Sequence, residues 1–192
     1  MSTDTRLVGL MGRAQAGKDT AATALLRHGW ARVAFADPLR QLAYNTDPII
    51  ETRRTGGTTY ARLSWIVDRL GWDEAKQVPD VRRYLQRLGA EGVRDVIGDT
   101  TWIDLAMQAQ AKHPRCVVTD VRFRNEVEAI RDAGGIVVEV VRPDVAPVPS
   151  LHPSETEQAS VVPDAMVLND HDVAGLHRQI LDLVGLGLPQ TP

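Results

Sequence analysis

Lys18 closes the run Gly12-Arg-Ala-Gln-Ala-Gly17, and that spacing is the Gly-x4-Gly-Lys of a phosphate-binding loop. Glycines let a backbone wrap closely enough to aim several N–H groups at phosphate oxygens. The lysine adds a positive charge, and a following helix adds the dipole of its N-terminus. The residues that would cradle a polyphosphate are Gly12, Arg13, Ala14, Ala16, Gly17, Lys18, Asp19 and Thr20. One of them departs from the common motif. Asp19 stands where Ser or Thr is usual, and the hydroxyl of Thr20 comes one place later.

Two further constellations carry chemistry. "VVTDVRFRNE" puts Asp120 at the tip of an apolar strand, where a carboxylate can orient a metal ion through water. Arg122 follows at once, a fork-shaped cation suited to the charge that spreads over a moving phosphoryl group. Arg124, Asn125 and Glu126 read equally as part of that site or as the exposed first turn of the next helix. In "AFADPLR", Asp37 and Pro38 make a good helix start, an N-cap acceptor followed by proline. Arg40, one turn in, would face the same mouth of the sheet as the phosphate loop, or be a solvated helix arginine.

These side chains need particular elements to hold them. The pattern predicts a strand at 6–11, the loop at 12–17 and a helix at about 18–28. A strand at 31–36 leads into a helix starting at Asp37. The middle, 47–112, reads as mostly helical, with amphipathic segments at 59–70, 79–98 and 101–111, after a polar "TRRTGGTT" that reads as a mobile loop. Strands follow at 115–120, 134–141 and 164–169, and helices at about 123–133 and 172–184. A Pro-rich loop fills 143–153. Strands alternating with helices indicate an α/β domain around a parallel sheet. The expected organisation is one domain over 1–192, with a core of 1–46 and 113–192, a helical insertion at about 47–112 and a short lid at about 143–156.

Composition narrows the classes. A net charge of −3 argues against a chain that coats nucleic acid or a membrane surface. No apolar run approaches a membrane span, and "MSTDTR" lacks a signal-peptide pattern. Cys116 is the single cysteine, so a disulfide framework or thiolate metal cluster cannot form; a small core residue in a reducing, cytoplasmic setting is expected. The lysines are Lys18, Lys76 and Lys112 among many arginines, so a rare lysine occupies the position that demands one.

The pieces "GRAQAGKDTAA", "AFADPLR", "LQRLGAEGVRDVIGDTTW", "VVTDVRFRNEVEAI", "VRP…HPSE" and "DAMVLNDHDVAGL" occur in one order across most of residues 7–180. Together they resemble the deoxynucleoside monophosphate kinase family of phages and some bacteria. The resemblance implies a three-layer, adenylate-kinase-like P-loop kinase fold: a five-stranded parallel sheet with a helical monophosphate-binding insertion. It implies transfer of the ATP γ-phosphate to a deoxynucleoside monophosphate, with Mg2+ and with nucleotides as the partners. Adenylate kinases likewise place a non-hydroxyl residue after the lysine and Thr next. By that likeness Thr20 would bind an α-phosphate, while Asp19 and Asp120 would hold Mg2+ through water.

The same resemblance distributes roles. Lys18, Arg122, Asp120 and Arg40 would be catalytic. Asp37, Arg40, Gln86, Arg87, Trp102 and Arg122 would meet the acceptor, Gln86 by reading a base edge and Trp102 by stacking; both also have helix-packing explanations. Asn169 and Asp170 would lie on the adenine side, and Arg142, His152 and Glu155 in the lid. The loop at 143–151 lacks the arginines of a long adenylate kinase lid, so charge stabilisation would rest on Lys18, Arg13, Arg122 and Arg142. An alternative is a P-loop kinase acting on a hydroxyl, similar to dephospho-coenzyme A kinase, with Asp37 as general base. A nucleotide-binding module without catalysis is a third class, against which the full set of charged residues speaks. A homodimer through the exposed face of 59–70 or 79–98 is compatible with the pattern.

Overall fold

The apolar run Leu7–Met11 forms strand β1, and all five residues are buried. A strand covered on both faces belongs inside a parallel sheet. β1 accordingly pairs with Cys116–Val118 on one side and Ile136–Val141 on the other. The computed structural model describes residues 5–54, 57–143 and 161–187. After β1 come α1 (Lys18–Leu26), β2 (Ala31–Val33), α2 (Ala36–Thr46), β3 (Ile49–Arg54), β4 (Gly57–Arg62), α3 (Leu63–Ala75) and α4 (Pro79–Arg87). A π-helical segment (Leu88–Arg94), α5 (Thr101–Gln110), β5 (Cys116–Val118), α6 (Arg124–Asp132), β6 (Ile136–Val141), β7 (Ala165–Leu168) and α7 (Val173–Leu183) complete the described elements.

The chain divides into two compact units, one running to Phe35 and resuming at Ala106, the other Ala36–Leu105. The first holds a five-stranded parallel sheet in the order β2-β5-β1-β6-β7. Alternation along β1 sends Val8 and Leu10 to one face, where they join Leu25, Trp30, Val138, Leu176 and Ile180 in a core under α1 and α7. Gly9 points to the other face and leaves room for Ile130 of α6. Helices therefore cover both faces of the sheet, the three-layer α/β arrangement that the sequence predicts. Cys116 is fully buried in β5, and burial pushes its thiol up to about 11.

The second unit has its own core, in which Ala43, Ile50, Leu63, Ile66, Val67 and Val81 meet. Here the sequence reading needs three corrections. The stretch read as a mobile loop followed by a helix from residue 59 forms a hairpin instead, with β3 and β4 antiparallel and Ile50 opposite Ala61, Thr52 opposite Thr59. β-Branched and aromatic residues on both sides of Gly56-Gly57 favour that pairing over a helix. The helix starts only at Leu63, where Asp47 Oδ1 accepts the Ser64 N–H at 2.8 Å and caps the first turn.

The second correction is that 79–98 is not one α-helix. After Arg87 the backbone widens, with the Asp95 N–H donating to the Ala90 carbonyl. The third concerns α2, which begins at Ala36, so Asp37 lies within its first turn rather than at the cap; the helix packs on α3, α4 and the π segment. Residues 144–160 lie outside the described part, and with them most of the expected lid, His152 and Glu155. Among the described residues no helix is long and apolar enough to cross a membrane.

Candidate phosphoryl-transfer site

β1 ends at Met11 and α1 begins at Lys18, so the loop between them is the turn from a buried strand into a helix. Three of its residues take positive φ angles, Gly12 at 136°, Gln15 at 64° and Gly17 at 102°. A non-glycine residue held there stores strain, which is typical of a loop shaped for a ligand. Gly17 serves as the helix N-cap without a side-chain cap, which leaves the first-turn N–H groups directed out of the helix. Lys18 folds back across the loop. Its Nζ donates to the Gly12 carbonyl at 2.7 Å and the Arg13 carbonyl at 2.9 Å. The Ala16 N–H donates to the same Arg13 carbonyl at 3.2 Å, so the loop is braced from within.

Electrostatics brings four predicted residues together. Burial, and next the charge of Arg122, hold the Lys18 ammonium below its ordinary value of 10.5. Asp19 and Asp120 pull in the opposite direction. Asp120 is fixed at the end of β5 by the Phe35 N–H, which donates to its Oδ1 at 2.8 Å. Arg122 and Asp19 are exposed.

On the predicted adenine side, the structure gives Asn169 a firmer task. Its Nδ2 donates to the Ala16 carbonyl at 2.9 Å, and its backbone N–H donates to Val141 at 2.7 Å. It thus ties the end of β7 to the phosphate loop, close enough to Gly17 that a side chain there would collide with it. Asp170 lies 3.8 Å from His171. Arg142 is exposed just past the end of β6.

The remaining predicted residues belong to the second unit. Asp37 and Arg40 sit in the first turns of α2, with Arg40 Nη1 3.4 Å from Asp37 Oδ1. Arg40 Nε is buried and has no hydrogen-bond partner among the described residues. Gln86 and Arg87 are exposed on α4, and Arg87 Nε donates to Glu91 at 3.1 Å. Trp102 is only 6% exposed, and its indole N–H donates to the Gly89 carbonyl at 3.1 Å. A ring so covered has no free face for a base, and packing is the role its geometry gives it. The larger cavity of this unit, about 1030 Å³ beside Tyr60 and Trp65, contains none of the predicted acceptor residues. The smaller one, about 630 Å³, is lined by Arg87, Glu91 and Tyr84.

One residue escapes sequence reasoning, and for a second it leaves the site and an exposed helix turn equally open. His177 on α7 donates from Nε2 to the Thr20 carbonyl at 2.9 Å, a contact across 157 residues that leaves no local trace. Glu126 is 4% exposed rather than on the surface. Its position three residues past the helix start was the available signal.

A parallel sheet whose central strand empties into a glycine-framed lysine loop is the arrangement of a P-loop nucleotide-binding protein. The model of the deoxynucleotide monophosphate kinase family matches residues 72–180, more than half of the chain, and the chain belongs to that family. A protein of Acanthamoeba polyphaga mimivirus assigned as a deoxynucleotide monophosphate kinase is 29% identical over 202 residues, covering 93% of this chain and 95% of that one. Among solved structures, shikimate kinase from Aquifex aeolicus is similar at 10% identity, covering 93% of this chain and 96% of its own, with a TM-score of 0.46. Dephospho-CoA kinase from Campylobacter jejuni is similar at 10% identity over 95% and 97%, with a TM-score of 0.42.

Proposed function

We propose that this kinase moves the γ-phosphoryl group of ATP, with Mg2+, onto the phosphate of a deoxynucleoside monophosphate, giving ADP and the diphosphate. Phosphorylation of deoxynucleotide monophosphates is the activity of its family. Donor, metal and residue roles are the added reading. The observation that carries it is the grouping around Lys18, whose Nζ crosses the phosphate loop to the Gly12 and Arg13 carbonyls and on which the charges of Arg122, Asp19 and Asp120 all act.

An acceptor phosphate oxygen forms the new bond to the γ-phosphorus as the bond to the departing ADP oxygen breaks. The acceptor is already an anion, so no general base is required, and positioning with electrostatics suffices. Lys18 and Arg122 offset the charge on the transferring group. The N–H groups of the loop hold the donor phosphates, and Asn169 and Asp170 border the adenine. Arg40 takes the acceptor phosphate. Gln86 and Arg87 face the base and sugar.

The donor set suits Mg2+, which is held by one or two carboxylates plus substrate phosphates rather than by an all-protein cage. Asp19 and Asp120, whose charges both act on Lys18, would be that pair. Bound there, the ion would neutralise charge on the phosphates. Pairing of two copies through α3, where Trp65 is 57% exposed, is part of the same proposal.

Two substitutions test the acceptor class. Arg40→Ala should raise the KM for a deoxynucleoside monophosphate by about 10-fold or more, and Asp37→Asn should leave kcat within about 3-fold. A collapse of kcat in Asp37→Asn would point instead to a hydroxyl acceptor deprotonated by Asp37.

A further inference from the structure

A carboxylate with 4% exposure needs a reason to be buried, because an unpaired charge away from water is strongly unfavourable. Glu126 Oε2 accepts the N–H of Arg122 at 2.7 Å and the N–H of Phe123 at 3.0 Å. Both are short, charge-assisted bonds to the turn that joins β5 to α6. That turn carries Asp120 and Arg122. Upstream, the Val121 N–H donates to Leu10 at 3.2 Å, anchoring the turn to β1 just before the phosphate loop, and Asp120 takes the Phe35 N–H. Residue 122 is therefore held between two fixed points. Its backbone leads from Val121, fastened to β1, and its own N–H ends on Glu126. An exposed arginine gains a defined origin only if its backbone is fixed in this way, and the charge of Arg122 is felt at Lys18.

We propose that Glu126 is a positioning residue for phosphoryl transfer, setting the backbone from which Arg122 reaches the reacting phosphate. It touches no substrate and acts through Arg122. The inference rests on the transition-state role given to Arg122 above. A glutamate that merely caps α6 would make the same two bonds, so the test must separate stability from turnover.

Four proteins do so: wild type, Glu126→Ala, Arg122→Ala and the double variant, compared by kcat, by KM for each nucleotide and by melting temperature. Glu126→Ala should lower kcat about 10–100-fold with both KM values within about 3-fold. In the Arg122→Ala background the same change should cost no further kcat, because the group it serves is gone. Glu126→Gln, whose amide oxygen can accept both N–H groups, should recover most of the rate. Glu126→Asp, one methylene shorter, enters the same cycle and carries the test if the alanine variant does not fold. A lowered melting temperature with unchanged kcat, or an equal loss of kcat in both backgrounds, would overturn the proposal. An unchanged kcat in Arg122→Ala would instead remove the role of Arg122 itself, a separate result visible in the same set.

Discussion

The two units hold several of their charged and polar side chains by different means. Near the phosphate loop four are fastened to backbone: Lys18 to Gly12 and Arg13, Asp120 to Phe35, Asn169 to Ala16, Glu126 to Arg122 and Phe123. On the helices of the other unit, three arginines pair with carboxylates one turn away: Arg40 with Asp37, Arg83 with Asp80, Arg87 with Glu91. Backbone ties fix a group before any substrate arrives, which is what electrostatic stabilisation of a transition state requires. Pairs one turn apart on an exposed helix are worth only about 0.2–0.5 kcal/mol, so an arginine can exchange its carboxylate for a phosphate at little cost. On the proposed function, one unit serves the chemistry and the other the capture of the acceptor.

The contrast is broken most sharply at Lys18. Lys18→Ala should lower kcat by about 10³-fold while leaving the melting temperature nearly unchanged. Retained activity would take the loop out of the mechanism. Next in size is a paired comparison. Arg122→Ala should lower kcat about 100-fold, whereas Arg87→Ala should raise the acceptor KM about 10-fold with kcat almost constant. Steady-state kinetics that found equal kcat losses would erase the distinction between the units.

Smaller effects concern the scaffold of the loop. Gly17→Ala must fit a side chain at φ 102° and against Asn169. It should lose about 1–3 kcal/mol of stability, measured by denaturant titration. The smallest effect is one of pH. The Lys18 ammonium is disfavoured in the folded chain, so its folded pKa lies below 10.5. Between that value and 10.5 the unfolded chain binds more protons, and this group adds stability as pH rises. The stability difference between wild type and Lys18→Met should therefore increase across the alkaline range; a difference that falls or stays flat would mean that Lys18 is not desolvated.

Legibility from sequence followed the same divide. The loop, β1 and the Asp120 strand end are contiguous: residue types at fixed spacing carry the information, and Gly12, Gly17 and Lys18 announce it unaided. The alternation of strands and helices foretold the five-stranded sheet for the same reason. Around residues 47–62 polar threonines and arginines masked the period-two pattern, and a hairpin was read as a loop and helix. Trp102 invited a stacking role because composition does not reveal that Gly89 lies within reach of its N–H. Glu126 and His177 depend on tertiary packing, which decides whether a charged or polar residue ends up on the surface or under it.

The central claim is that the phosphate of a deoxynucleoside monophosphate accepts the phosphoryl group. The most direct measurement is ADP formation from ATP by the purified chain, with and without Mg2+, against a panel of dAMP, dGMP, dCMP, dTMP and their ribo counterparts. Mg2+-dependent ADP should appear only when a nucleoside monophosphate is present, together with an equal amount of its diphosphate. Turnover on a hydroxyl acceptor with none on any monophosphate would contradict the account.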